Sequence, residues 1–285
     1  MWLDLEQANL LAATRVAAHD PDLRPLAWQL PAVLRTYYMR HNLFEDWFTA
    51  TRLGLDAARA LGDRRGQAEL LDSLGVAHVA AHHLDAGAQA HLAALEIRHE
   101  LGDRLGEAVA LNALGLAYLH GRRLTEARDQ FTACVAAFGQ LGDDVWRAVA
   151  LANLGEALCE LGQYPQALAS VDQALTIFHE SNDAQGEGNA LRLLATIRLA
   201  QGDPEHALPL AHQAVTLAIE HDNRMWEGFW LLTLGAAQLA ARLPDDALVS
   251  FQRAATIQRR LGDRNREARA GRGCASTGSR AVRLP

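Results

Sequence analysis

The sequence has no lysine. All of its basic residues are arginine, and acids outnumber them, for a formal net charge of -7. A mildly acidic chain without a basic block gives no footing for direct nucleic-acid binding. Cysteine is scarce too: Cys134, Cys159 and Cys274 are odd in number and lack CxxC spacing. That argues against a disulfide framework or a zinc site and fits a reducing, cytoplasmic setting. No apolar run reaches the ~18 residues that a membrane span needs, so no membrane partner is expected. Asp4 and Glu6 stand before the first apolar run, the reverse of a secretory signal.

What is present is helix-forming and periodic. Hydrophobic residues make up 49% of the chain, too many for disorder, and its abundant alanine, leucine and arginine favour helix. Slid against itself by forty residues, the sequence matches again and again. Leu-Gly-Asp stands at Leu61, Leu101, Leu141 and Leu261, with Ser181-Asn182-Asp183 and His221-Asp222-Asn223 in the same slots. Self-similarity at such a period predicts a solenoid of stacked units.

The organisation follows in chain order. Residues 1–20 read as one amphipathic helix closed by Asp20-Pro21. Residues 21–60 read as a degenerate capping unit whose first helix Pro31 should break or kink; Trp28, Tyr37, Tyr38, Trp47 and Phe48 make its core. Five units follow, 61–100, 101–140, 141–180, 181–220 and 221–260. Counted from Leu61, positions 11 and 14 are always leucine, for example Leu111 and Leu114, and position 15 is small, for example Gly115. A first helix is expected over positions 4–20. A turn over 21–24 has Gly162 and Gly202 suited to a left-handed helix stop. A second helix over 25–40 carries small residues at 27 and 34, such as Ala127 and Cys134. Residues 261–285 begin a sixth copy and then lose the apolar period at Gly271, which predicts an irregular tail, the mark of a truncated or frame-shifted end.

Leu114-Gly115-x-x-Tyr118, then Ala127, Phe131 and a small residue at 134, resembles the tetratricopeptide repeat, here lengthened from its usual ~34 residues. The resemblance implies an all-α fold, a right-handed superhelical solenoid of antiparallel helix pairs whose first helices line a concave groove. The groove positions then supply Asp72, Asn112, Asn153, Glu156, Asn189, Arg192 and Phe229 as peptide-binding candidates. An asparagine side chain both donates and accepts hydrogen bonds, so Asn112, Asn153 and Asn189 suit an extended peptide backbone. The carboxylate clamp of chaperone-binding members needs lysines, which the chain lacks. Trp146 and Trp226, at position 6, suit either packing or a partner contact.

Other motifs carry less. Gly273 to Ser279 has a superficial likeness to a phosphate-binding loop but lacks its lysine and a preceding strand. His78 and His82 stand four apart with His83 and His91 near, yet two ligands do not make a metal site, and no metal or cofactor is expected. No nucleophile has a base partner, so the chain is read as non-catalytic. The opening Trp2, Leu3, Glu6, Asn9 and Leu10 resemble the helix that precedes such repeats in AfsR-like, NB-ARC bacterial transcriptional regulators. By that resemblance the chain is a sensor or interaction region, a fragment or remnant paralogue whose partners are a protein or peptide in the groove and an ATPase or DNA-binding module of the same regulator. The alternative is a stand-alone adaptor binding an extended or helical peptide. An apolar end at residues 240–270 would also allow a dimer.

Overall fold

A computed structural model describes residues 2–261 and 264–281, and the side chains of 5–261 and 266–277. Gly262 and Asp263 of the last Leu-Gly-Asp, and the side chains of Trp2, Leu3 and Ser279, lie outside the described residues. The described chain is all-α and divides into two compact units, Met1–Gly142 and Asp143–Pro285.

Unit 1 holds α1 (Trp2–His19), α2 (Arg24–His41), α3 (Phe44–Ala60), α4 (Arg64–Ala80), α5 (Leu84–Leu101), α6 (Arg104–His120) and α7 (Leu124–Leu141). Unit 2 holds α8 (Asp144–Glu160), α9 (Tyr164–Glu180), α10 (Ala184–Ala200), α11 (Pro204–Glu220), α12 (Arg224–Ala240), α13 (Pro244–Leu261) and α14 (Arg264–Ala281). Within each unit every helix packs on its successor, and the first helix of one pair also touches the first helix of the next, as α4 does α6 and α10 does α12.

The recurring Leu-Gly-Asp is a joint. Gly62, Gly102 and Gly142 take φ of 66°, 65° and 71°, a left-handed turn that costs glycine nothing. The aspartate that follows then caps the next helix: Asp63 accepts from the Gly66 amide at 2.9 Å and Asp103 from Gly106 at 3.0 Å. The divergent copies keep the same roles. Asn182 and Asp222 take the positive φ, while Asp183 and Asn223 cap. Each such cap contributes about 1 kcal/mol. Gly162 and Gly202 are left-handed as expected, at 75° and 77°.

Packing inside a pair is small against large. A Cβ on Gly115 would sit 2.6 Å from the Phe131 ring, so only glycine lets α6 and α7 approach this closely. Leu114, Ala127, Phe131 and Cys134 are all fully buried there. Leu111 is only half-buried, whereas its counterparts in unit 2, Leu151, Leu191 and Leu231, are buried.

Two expectations are corrected. α2 runs unbroken through Pro31. The carbonyl that Pro31 leaves without its helical donor is that of Ala27, and Gly54 of α3 brings its backbone up to that point, where a Cβ would lie 2.8 Å from the Ala27 oxygen. The proline is thus buried against a matching gap instead of ending the helix. Second, the segment from Gly271 is helical to Ala281 rather than irregular. Its packed face is made of small residues: Ala270 and Thr277 are buried, and Gly273 admits the Phe251 ring. The aromatic residues of the first pair behave as a core, with Trp47, Tyr38, Phe48 and Tyr37 in one buried cluster.

Candidate functional site

The first helices of unit 2 run side by side, α8 on α10, α10 on α12 and α12 on α14. They bring four of the candidate residues together. Arg192 of α10 is 7% exposed. Its Nε donates to Asn189 Oδ1 at 3.1 Å, and its guanidinium lies 5.0 Å from the Phe229 ring centre on α12. Glu156 of α8 approaches it only to 3.9 Å. Arg266 of α14 lies 4.7 Å from the same Phe229 ring. Burial lowers the Arg192 pKa; Glu156 opposes that shift, and Arg269 and Arg266 add to it. Asn153 of α8 is half-buried and engaged within the chain.

In unit 1, Asp72 of α4 is 5% exposed and already used. One of its oxygens meets His91 Nδ1 at 3.1 Å, and the other meets Arg98 at 2.5 Å. Arg98 also donates to the Gly106 carbonyl at 2.9 Å and reaches Glu69 at 3.5 Å. Beside them Trp47 Nε1 donates to Ser73 Oγ at 2.8 Å. Asp72 is therefore a structural acid here, held by two bases on α5. Asn112 of α6 is nearly buried and also engaged. Of the three asparagines, Asn112 belongs to unit 1, and Asn153 and Asn189 to unit 2.

Sequence reasoning missed Arg266 and Arg269. They fall at positions 6 and 9 of the sixth copy, the slots of Trp226 and Phe229, so the repeat register was the signal that could have found them. Trp226 packs into the unit 2 core, stacked on Trp230 at 5.6 Å between ring centres.

Among the described residues no group of three or more His, Cys, Asp or Glu side chains is placed to hold a metal ion. His78 Nδ1 and His83 Nδ1 lie 3.5 Å apart, with His78 4.7 Å from the Phe48 ring, while His82 occupies a left-handed turn. Burial pushes the Cys134 thiol up to about 12 and the Cys159 thiol to about 11, which leaves both protonated at neutral pH. No described helix is long and apolar enough to cross a membrane.

A family model described as tetratricopeptide repeat matches residues 146–220. These are tetratricopeptide repeats. Solved structures share the array's fold at low sequence identity. The chain is similar to aspartyl phosphate phosphatase F from Bacillus subtilis, with a TM-score of 0.67, 13% identity and coverage of 99% of this chain and 74% of that one. It is similar to NprR in complex with its cognate peptide NprX, at 0.63 and 12%, covering 89% and 71%. It is also similar to a signal transduction ATPase with a tetratricopeptide repeat sensor from Pyrococcus horikoshii, at 0.62 and 14%. That match covers 91% of this chain and 38% of the ATPase. A search of curated protein sequences finds no significant match.

Proposed function

We propose that the array is a non-catalytic scaffold that binds a protein or peptide, acting as the sensor or interaction region of a bacterial signalling or transcriptional regulator. The observation that carries this reading is the convergence of Asn189, Arg192, Phe229 and Glu156 from three adjacent first helices, α8, α10 and α12. Such a face offers a flat aromatic ring beside groups that accept and donate hydrogen bonds, the mixture that holds a peptide. NprR, which shares the fold, was crystallised with a peptide, and the Pyrococcus ATPase uses such repeats as a sensor. The regulator setting rests further on the opening pattern, of which Asn9 donates to Glu6 at 2.6 Å. An ATPase module of the same regulator is then the natural second partner.

A second copy docking on residues 240–270 has less to drive it. α14 lies over α13 and buries Ala270, so little of that apolar end is left for another chain.

The test is retention of peptides from a randomised pool on the immobilised full chain. Asn112→Ala combined with Asn153→Ala should reduce retention about five-fold, roughly one hydrogen bond's worth of free energy, with unchanged circular dichroism. Unchanged retention would remove the asparagines from the site, and no retention by the unaltered chain would defeat the reading itself.

A further inference from the structure

Arg192 is buried among more positive charge than negative. The ionised groups that act on it are one carboxylate, Glu156, and two guanidiniums, Arg269 and Arg266. Glu156 stands at 3.9 Å, with its side chain 41% exposed. That is too far for a hydrogen bond, and the solvent around it weakens its pull on Arg192. The Phe229 ring carries both Arg192, at 5.0 Å, and Arg266, at 4.7 Å. Cation–π contact steadies a guanidinium but does not neutralise it. Asn189 takes the Nε of Arg192, which fixes the plane of its fork. Three like charges gathered from α10 and α14 against one distant carboxylate repel one another, at a cost that a bound anion would relieve.

We propose that Arg192, Arg266 and Arg269, arranged about Phe229, form a subsite for a carboxylate of the bound peptide, either its C-terminus or an acidic side chain. The proposal rests on the peptide-binding reading above and names the chemistry of its ligand. A guanidinium fork matches a carboxylate in two-pronged geometry. The Phe229 ring gives the peptide's apolar part something to lie against. The excess positive charge is local, since the chain as a whole is acidic. An anionic peptide is therefore drawn to this face of unit 2 and not to the rest of the surface.

The experiment offers the immobilised full chain two randomised pentapeptide pools, one ending in aspartate with a free terminus, the other in asparagine amide. Retained peptide is measured by mass spectrometry. The carboxylate pool should be held about ten-fold more than the amide pool, and the ratio should fall as salt is raised. The double variant Arg266→Gln, Arg269→Gln should bring the ratio close to one. Both side chains reach solvent, so the fold should survive, which circular dichroism checks. Arg198→Gln removes the same kind of charge elsewhere, where Arg198 bonds Gln201, and should keep the preference. Equal retention of both pools would overturn the subsite and leave peptide binding standing, whereas retention of neither would overturn both. A ratio that survives the double variant would also overturn it, as would displacement by inorganic phosphate at far lower concentration than by acetate, which would reassign the site to phosphate.

Discussion

Each unit buries one arginine, and the two are held very differently. Arg98 in unit 1 is 5% exposed and meets Asp72 at 2.5 Å, the Gly106 carbonyl at 2.9 Å and Glu69 at 3.5 Å. Arg192 in unit 2 is 7% exposed, yet its charge is answered only by Glu156 at 3.9 Å. Position in the repeat explains why each is buried. Arg98 fills the slot of the core rings Phe138 and Phe178 on a second helix, and Asp72 compensates from the facing first helix. Arg192 stands on a first helix, on the face shared with Phe229 and Arg266. The same side chain is thus a piece of core in one unit and an under-neutralised charge in the other. Burial alone does not separate structural from functional groups; the inventory of partners does.

Breaking what both units share gives the largest effect. Leu114→Asp puts a carboxylate in the fully buried contact of α6 with α7, at a cost of about 4 kcal/mol or more. Circular dichroism through a urea titration should show unit 1 unfolding, and an unchanged midpoint would contradict the packing. Next comes Asp72→Ala, which strands Arg98 and His91 without their carboxylate. A broken buried pair costs about 3–5 kcal/mol, read from the same titration. Arg192→Met sharpens the contrast. A buried cation with one distant partner contributes little, so its apolar near-isostere should change stability by about 1 kcal/mol or less while peptide retention falls. If Arg192→Met cost as much as Asp72→Ala, the two arginines would play the same part and the distinction would collapse.

Much of the fold was legible because its signals are local. Leu-Gly-Asp encodes a stop, a left-handed turn and a cap within three residues. The leucine and glycine at positions 14 and 15 declare one face of a helix four times over in the sequence, once each at Leu74, Leu114, Leu154 and Leu234. Pro31 misled because its effect depends on Gly54, more than twenty residues away and on another helix. The tail misled because its buried face is alanine, glycine and threonine, which leave no mark on an apolar period. The site was half visible. Arg192, Asn189 and Phe229 could be placed by register, but Asp72 proved to be committed to His91 and Arg98, and Arg266 sat in a stretch that no longer looked like a repeat.

The smallest effect expected concerns the one described histidine whose titration is shifted within this comparison of buried charge. His78 of unit 1 lies against the Phe48 ring, with His83 Nδ1 at 3.5 Å and Arg52 5.9 Å from that same ring. Burial, then His83 and then Arg52, lower its pKa below the ordinary 6.5. Between the lowered value and 6.5 the unfolded chain holds a proton that the folded chain does not. Stability contributed by neutral His78 is therefore fully present above about pH 6.5 and is lost as pH falls through the lowered value. His78→Phe keeps the ring contact and removes the titration, so the acid side of the stability profile should flatten, while His82→Gln, at an exposed turn, should leave it as it was. Urea midpoints taken from about pH 5 to about pH 8 make the comparison. An unaltered slope in the His78 variant would mean that the ring is protonated as readily in the folded chain as in water. Unit 1 would then tolerate a second cation beside Arg52 without penalty, and the claim that its charges are closely matched to their partners would have to be narrowed to Arg98.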